Sequence, residues 1–251
     1  GEASLLTVKE IQSVSAVFIS HTHIDHFSNF DGIFRHQIGS GEKIVICGPK
    51  NIHQQIEARL KSYTWNLIDE NAIEYEIREI VSKEEINIYT IRPPHWNFEL
   101  IKKQNFLFED EYVNVDFAIL DHKTDSIAYL FKEKDSVTFN ETDSEFRKGK
   151  WISELKTAFE NNDPDKDIQI EETVYKASDL FHFLTRNVGY KLGVIMDHNV
   201  CEDNYEKIKT VFKKADKVYI ETFYKDGDQE FAKINYHSFA SASGKIMNEC
   251  E

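Results

Sequence analysis

The segment that most constrains this chain is His21-Thr22-His23-Ile24-Asp25-His26, which follows directly on the apolar run Ser15–Ser20. A short continuous apolar run reads as a buried strand, so the side chains after it emerge at the edge of a sheet. His21 and His23 alternate, and in an extended loop they point the same way and can share one ion. Asp25 and His26 can then bind a second ion beside it. Imidazole nitrogen and carboxylate oxygen are natural ligands for zinc or manganese. Two ions roughly 3.5–4 Å apart can clamp a phosphoryl or carbonyl oxygen.

The same arrangement recurs downstream. Ile44–Cys47 reads as a buried strand, and Ile52, Ile56 and Leu60 mark one face of a helix. Glu74–Ile80 and Ile86–Ile91 read as strands. Val115–Leu120 is a strand running into Asp121-His122, with Ile127–Phe131 as its hairpin partner. Leu192–Met196 ends at Asp197. Tyr205, Ile208, Val211 and Phe212 line a helix, Val218–Phe223 reads as a strand, and the stretch from Ala242 reads as helical. His21, His122 and Asp197 thus each follow a buried strand, where sheet ends present ligands to a shared crevice. His95, after Pro93-Pro94, is the rival third histidine. His198 is expected on the opposite side of the strand from Asp197.

Composition narrows the partners. A chain of 251 residues can bury a large single core. No apolar run reaches the length of a membrane-spanning helix, so no membrane role is expected. Three scattered cysteines, Cys47, Cys201 and Cys250, argue against a disulfide framework and for a reducing, cytoplasmic setting. The formal net charge of -14 excludes a broad electrostatic grip on nucleic acid, so any such partner needs a local basic patch or the metals themselves. From Glu133 to Leu192 the sequence turns charged and turn-rich, with one helical stripe at Trp151, Leu155 and Phe159. We read residues 1–251 as a single domain carrying a charged insertion or arm at about 134–190.

Beyond the histidine tetrad, the chain resembles the ribonuclease Z branch of the metallo-β-lactamase superfamily. Gly1-Glu2-Ala3 ahead of Val17-Phe18-Ile19-Ser20-His21 is similar to that family's run from a Gly-Glu loop into its metal motif. Cys47-Gly48-Pro49-Lys50 resembles its Gly-Pro turn, and Leu120 to Tyr129 its histidine followed by a hairpin bearing an aromatic residue. Met196-Asp197 resembles its aspartate at a strand end. Ile220-Glu221-Thr222-Phe223 looks like a reduced form of its His-Glu-Ala-Thr segment, and Tyr236-His237-Ser238 like its His-Ser-Thr turn.

The resemblance implies an α/β fold, the αββα four-layer sandwich, incomplete at both termini. It implies two divalent metal ions, zinc or alternatively manganese. His21, His23, His122 and Asp197 would hold the first, and Asp25, His26 and Asp197 the second. It further implies an endoribonuclease that removes 3′ trailers from precursor tRNA through a two-metal-activated hydroxide, and a homodimer. His237 would donate a proton to the departing 3′ oxygen, Glu221 would hold the loops around it, and Asp25 would serve catalysis as well as metal binding. The basic stretch with Arg147, Lys148, Lys150 and Lys156 resembles the family's reach to the tRNA elbow, with Lys150 where proline is expected.

Two departures stand out. The chain starts within what resembles the family's second motif, and no histidine follows His237. Both fit a fragment of a longer reading frame. Ile220 and the Ser238-Phe239 pair also depart from the family pattern. The alternatives are therefore a hydrolase of a small phosphodiester, ester or thioester, and a catalytically degenerate member of the fold.

Overall fold

The computed structural model describes residues 6–140 and 146–250. The Gly1-Glu2-Ala3 motif, residues 141–145 of the charged stretch and Glu251 lie outside the described residues. The chain divides into two compact units, one running up to Lys132 and resuming at Lys191, the other spanning Glu133–Tyr190.

The first unit is built on two sheets. One has strand order β1-β2-β3-β4-β5, with β1 at Ala16–Phe18, β2 at Lys43–Gly48, β3 at Glu74–Ile80, β4 at Ile86–Ile91 and β5 at Phe98–Gln104. Strands β1, β2 and β3 pair parallel, and β3, β4 and β5 pair antiparallel. The other sheet has order β14-β13-β8-β7-β6, with β6 at Phe108–Glu109, β7 at Val113–Asp121, β8 at Asp125–Glu133, β13 at Lys191–Ile195 and β14 at Lys217–Ile220.

The strands alternate, and the alternation sorts side chains into three cores. On β7 and β8, Val115, Phe117, Ile127 and Tyr129 face the first sheet and meet Cys47, Ile80 and Ile86. Their neighbours Ala118, Leu120, Ala128 and Leu130 face the other way, against Ile208 and Phe212 of α7 (Glu202–Phe212) and Ile246 of α9 (Ala240–Asn248). On the first sheet, Ile44, Ile46, Tyr75 and Ile77 pack against the short helices α2 (Ile24–Phe27) and α3 (Phe30–Gln37) and against α4 (Ile52–Lys61). Each fully buried aliphatic or aromatic side chain in these cores contributes roughly 1.5–3 kcal/mol. The layering is helices, sheet, sheet, helices. Helices α1 (Val8–Gln12) and α8 (Gln229–Asn235) complete this unit.

Two details depart from the sequence reading. The strand read over Val218–Phe223 stops at Ile220, because Glu221 turns its carboxylate back onto the Phe223 N–H, 2.8 Å away. Strand β5 has no alternation to reveal it: Leu100 and Ile101 are both exposed beside Lys102 and Lys103, as befits a sheet edge.

The second unit has its own core of Trp151, Leu155, Ile168, Leu180 and Phe183. It contains α5 (Trp151–Glu160), α6 (Ala177–Leu180), a hairpin of β10 (Asp167–Ile170) with β11 (Thr173–Lys176), and an antiparallel pair of β9 (Ser136–Phe139) with β12 (Leu184–Asn187). Arg147, Lys148 and Lys150 precede α5 and are exposed, whereas Lys156 lies on that helix and is half-buried.

Candidate metal centre

The tetrad is held by both sheets. Past the end of β1, Ile19 donates its N–H to the Cys47 carbonyl at 2.8 Å, extending the first sheet by one residue. From the second sheet, the Tyr129 hydroxyl donates to the Ile19 carbonyl at 2.7 Å and the Ile127 N–H to the Ser20 carbonyl at 2.8 Å. His21 therefore leaves a strand end that is fixed on two sides, and it is fully buried. The chain then turns into α2, whose first N–H groups close on the His23 carbonyl from His26 and Phe27. That single turn brings His26 back toward His21, ring centroids 4.2 Å apart, and leaves Asp25 on the outer side.

Asp197 is the meeting point. Its Oδ2 lies 3.1 Å from His26 Nε2, 3.7 Å from His122 Nε2, and 3.9 Å from both His21 Nε2 and His237 Nδ1. His122 Nε2 is also 3.2 Å from His23 Nδ1. The donor atoms fall into overlapping groups that could hold a metal ion: His21, His23 and His122; His21, His26 and Asp197; His122, Asp197 and His237.

The donor set fits a cation. Burial, with the charge of His26 next, pushes the His21 imidazole down to about 3, and its Nε2 is buried with no hydrogen-bond partner. Burial and then the nearby His122 push His23 down as well. Asp197 moves down to about 2: burial alone would raise it, but the hydrogen bond from His26 and the surrounding imidazoles outweigh that. A buried, ionised carboxylate beside His21 and His23, two imidazoles that resist protonation, is the ligand state divalent metals require. His26 moves up, through its hydrogen bond to Asp197.

Ring orientations are set from behind. His122 Nδ1 lies 2.6 Å from the Tyr236 carbonyl, a bond that directs Nε2 toward Asp197. Tyr236 can turn its carbonyl there because it adopts a left-handed conformation, φ 59°, at the end of α8. His237 Nδ1 lies 3.1 Å from Glu221 Oε1, and Glu221 Oε2 accepts the Ser238 N–H at 3.1 Å. Burial, opposed by those backbone hydrogen bonds and assisted by the charge of Asp197, pushes the Glu221 carboxyl up to about 7.

The structure thus brings together His21, His23, His26, His122, Asp197, Glu221 and His237. Asp25 stands at the rim: its side chain is 72% exposed, with Oδ2 3.3 Å from His26 Nε2, and it joins none of the groups above. His95 is exposed on its turn and also stays out. His198 is fully buried behind Asp197, its Nδ1 2.9 Å from the Met196 carbonyl and 3.6 Å from Glu221 Oε2. Sequence reasoning missed the Tyr236 carbonyl and also Asn204, a fully buried amide that braces the strand end before His122. Backbone carbonyls carry no residue-type signal. An asparagine at the start of a helix reads as ordinary surface chemistry.

The layered sheets and the strand-end cluster define a protein of the metallo-β-lactamase fold, and solved structures agree. The short form of human tRNase Z matches over 98% of this chain and 71% of its own, with a TM-score of 0.54 at 15% identity. YhfI of Bacillus subtilis, a metallo-β-lactamase fold protein, matches over 98% of this chain and 64% of its own, with a TM-score of 0.50 at 11% identity. By sequence, the chain is similar to ribonucleases Z. Ribonuclease Z of Deinococcus radiodurans is 22% identical over 93% of this chain and 71% of its own length. That of Borreliella afzelii is 26% identical over 96% of this chain and 67% of its own. No protein-family profile matches the chain.

Proposed function

We propose that this protein is a metal-dependent endoribonuclease that removes the 3′ trailer from precursor tRNA. The observation that carries the reading is Asp197 Oδ2 lying within 3.1–3.9 Å of four histidines in a chain whose sequence relatives are ribonucleases Z. His21, His23, His122 and Asp197 would hold one divalent ion, and His26, Asp197 and the rim carboxylate Asp25 a second, with zinc favoured by the imidazole-rich set. The chemistry such ions supply is Lewis acidity toward the phosphate and acidification of water.

The chain's own residues do the rest. Glu221 fixes His237 through Nδ1, so the ring is held to deliver a proton to the departing 3′ oxygen. The bond from His122 to the Tyr236 carbonyl ties the loop bearing His237 to the ligand cluster. Two-sided fixation of Ile19 and Ser20 keeps His21 from moving as substrate arrives. Arg147, Lys148, Lys150 and Lys156 supply local positive charge for the phosphate backbone in a chain of net charge -14. The free thiols of Cys47, Cys201 and Cys250 suit a reducing, cytoplasmic setting.

The test is cleavage of a 3′-extended precursor tRNA by zinc- or manganese-loaded protein, with His23→Ala as control. A single cut near the acceptor-stem end, lost in the variant, supports the nuclease. Two bound metals and turnover of a generic phosphodiester without any cut in the RNA would leave a small-substrate hydrolase instead.

A further inference from the structure

Phe223 lies flat on His237, ring centroids 4.6 Å apart and planes inclined by 25°, yet 66% of the residue is exposed. A phenyl ring has two faces, and the imidazole covers one. The exposure therefore falls on the opposite face and the rim. An isolated exposed apolar side chain needs no explanation. This one is distinguished by its support and its place. Its N–H is fixed on Glu221 Oε1 at 2.8 Å, and the Tyr224 ring packs beside the phenyl ring in a T-shaped pair, centroids 5.0 Å apart and planes at 62°. The ring it rests on reaches to 3.9 Å from Asp197 Oδ2, the centre of the cluster.

A fixed aromatic face open to solvent beside a phosphodiester-cleaving centre is a platform for an unpaired base, because every nucleobase presents a π-face of its own. We propose that Phe223 and His237 form a nucleobase-stacking subsite, which rests on the nuclease reading above. That reading also selects the base. His237 protonates the departing 3′ oxygen, so the ring stacked on His237 stands next to the nucleotide that owns this oxygen, on the 5′ side of the cut. Stacking tolerates any base there, so the subsite fixes the position of the cut without demanding a sequence.

The closing experiment uses metal-loaded protein and two RNAs. One is the cleavage product, a tRNA ending in 2-aminopurine at the nucleotide 5′ to the cut. The other is the precursor with either a normal base or an abasic site at that position. In wild type the 2-aminopurine fluorescence is quenched on binding. Phe223→Leu keeps an apolar side chain on His237 but offers no π-face. It should abolish the quench and raise KM for the normal precursor about 5- to 150-fold, while Phe223→Trp keeps both near wild type. On the abasic precursor the Leu variant and wild type should match. Equal losses on normal and abasic RNA would show that Phe223 only steadies His237, and overturn the subsite. So would an unchanged quench and KM. If wild type neither binds nor cuts either RNA, the nuclease reading itself falls, an outcome distinct from the other two.

Discussion

Asn204 holds both backbone groups of Asp121, accepting its N–H at 2.8 Å and donating to its carbonyl at 3.0 Å. The amide thus acts as one more strand residue beside the end of β7, and the next residue is His122. It also donates to the Asn199 carbonyl at 2.8 Å, and Asn199 N–H returns to the Asp121 carbonyl at 2.8 Å. One side chain therefore joins the loop that carries His122 to the loop that follows Asp197. Without this side chain the Asp121 N–H loses its partner, while the carbonyl keeps the Asn199 N–H, at a cost of about 1–3 kcal/mol. Asn204→Ala should lower stability by that amount and also weaken metal binding, which loss of a remote core contact would not do. Thermal melts with and without zinc, together with metal affinity by competition, separate the two effects.

Metal removal makes a second prediction. His21 Nε2 is buried without a hydrogen-bond partner, and burial keeps its ring neutral, so it stands as an unmet acceptor that a cation satisfies. Loading with zinc should raise the melting temperature, by an amount that grows with free metal as linkage requires. Asp197→Asn keeps the size but removes the charge that faces four imidazoles. Its melting temperature should respond little to zinc, and the bound metal measured by elemental analysis should fall. A variant that keeps full metal content would remove Asp197 from its proposed place.

How much of this was legible in the sequence follows from which interactions carry a residue-type signal. Val115–Leu120 and Ile127–Phe131 read as a strand and its hairpin partner, and the structure turns their odd and even positions to two different cores. His21, His122 and Asp197 stood out because each follows such a run. The Val218–Phe223 strand was overread because apolar content alone cannot show that Glu221 folds back on the Phe223 N–H. Edge strand β5 was missed because its exposed side chains follow no period. The stack of Phe223 on His237 joins two segments 14 residues apart, and only a folded chain shows it.

Packing gives a third prediction, at the strand that delivers Asp197. Gly193 lies on β13, and a Cβ there would stand 2.7 Å from Phe212 Cδ1 and 3.0 Å from Val218 Cγ2. The absent side chain is what lets α7 close onto the sheet. Gly193→Ala should cost about 1–3 kcal/mol through overpacking, a fall of several degrees in melting temperature. Because β13 must shift to make room, zinc affinity should fall with it. Phe212→Leu in the same chain frees space at the ring and should recover part of both losses, as a double-mutant cycle would measure.

Outside the metal cluster, Glu79 offers a test of pH dependence. It is 3% exposed on β3, where Oε1 accepts the Asn51 N–H at 2.6 Å, and Oε2 accepts Asn87 Nδ2 at 3.0 Å and the Tyr89 hydroxyl at 3.1 Å. His53, stacked on Tyr89 at 4.1 Å between centroids, brings its Nδ1 to 3.2 Å from Oε1. Burial by itself would raise this carboxyl. The hydrogen bonds from Asn87 and Asn51, the charge of His53 and the bond from Tyr89 outweigh it, and the folded value lies below the ordinary 4.5. A carboxyl depressed by folding contributes stability that is fully present above the unfolded value and is lost as pH falls through the folded one. Wild type should therefore lose stability as pH drops below about 4.5, the unfolded value. Glu76 and Asp116, which are also depressed, contribute to the same loss, so the useful quantity is the difference between wild type and Glu79→Gln. The variant should be about 1–3 kcal/mol less stable at neutral pH, having lost a charged acceptor from a buried network. That gap should narrow as the pH is lowered through the window. Urea melts at several pH values measure it. A gap independent of pH would mean that Glu79 serves only as a neutral hydrogen-bond acceptor.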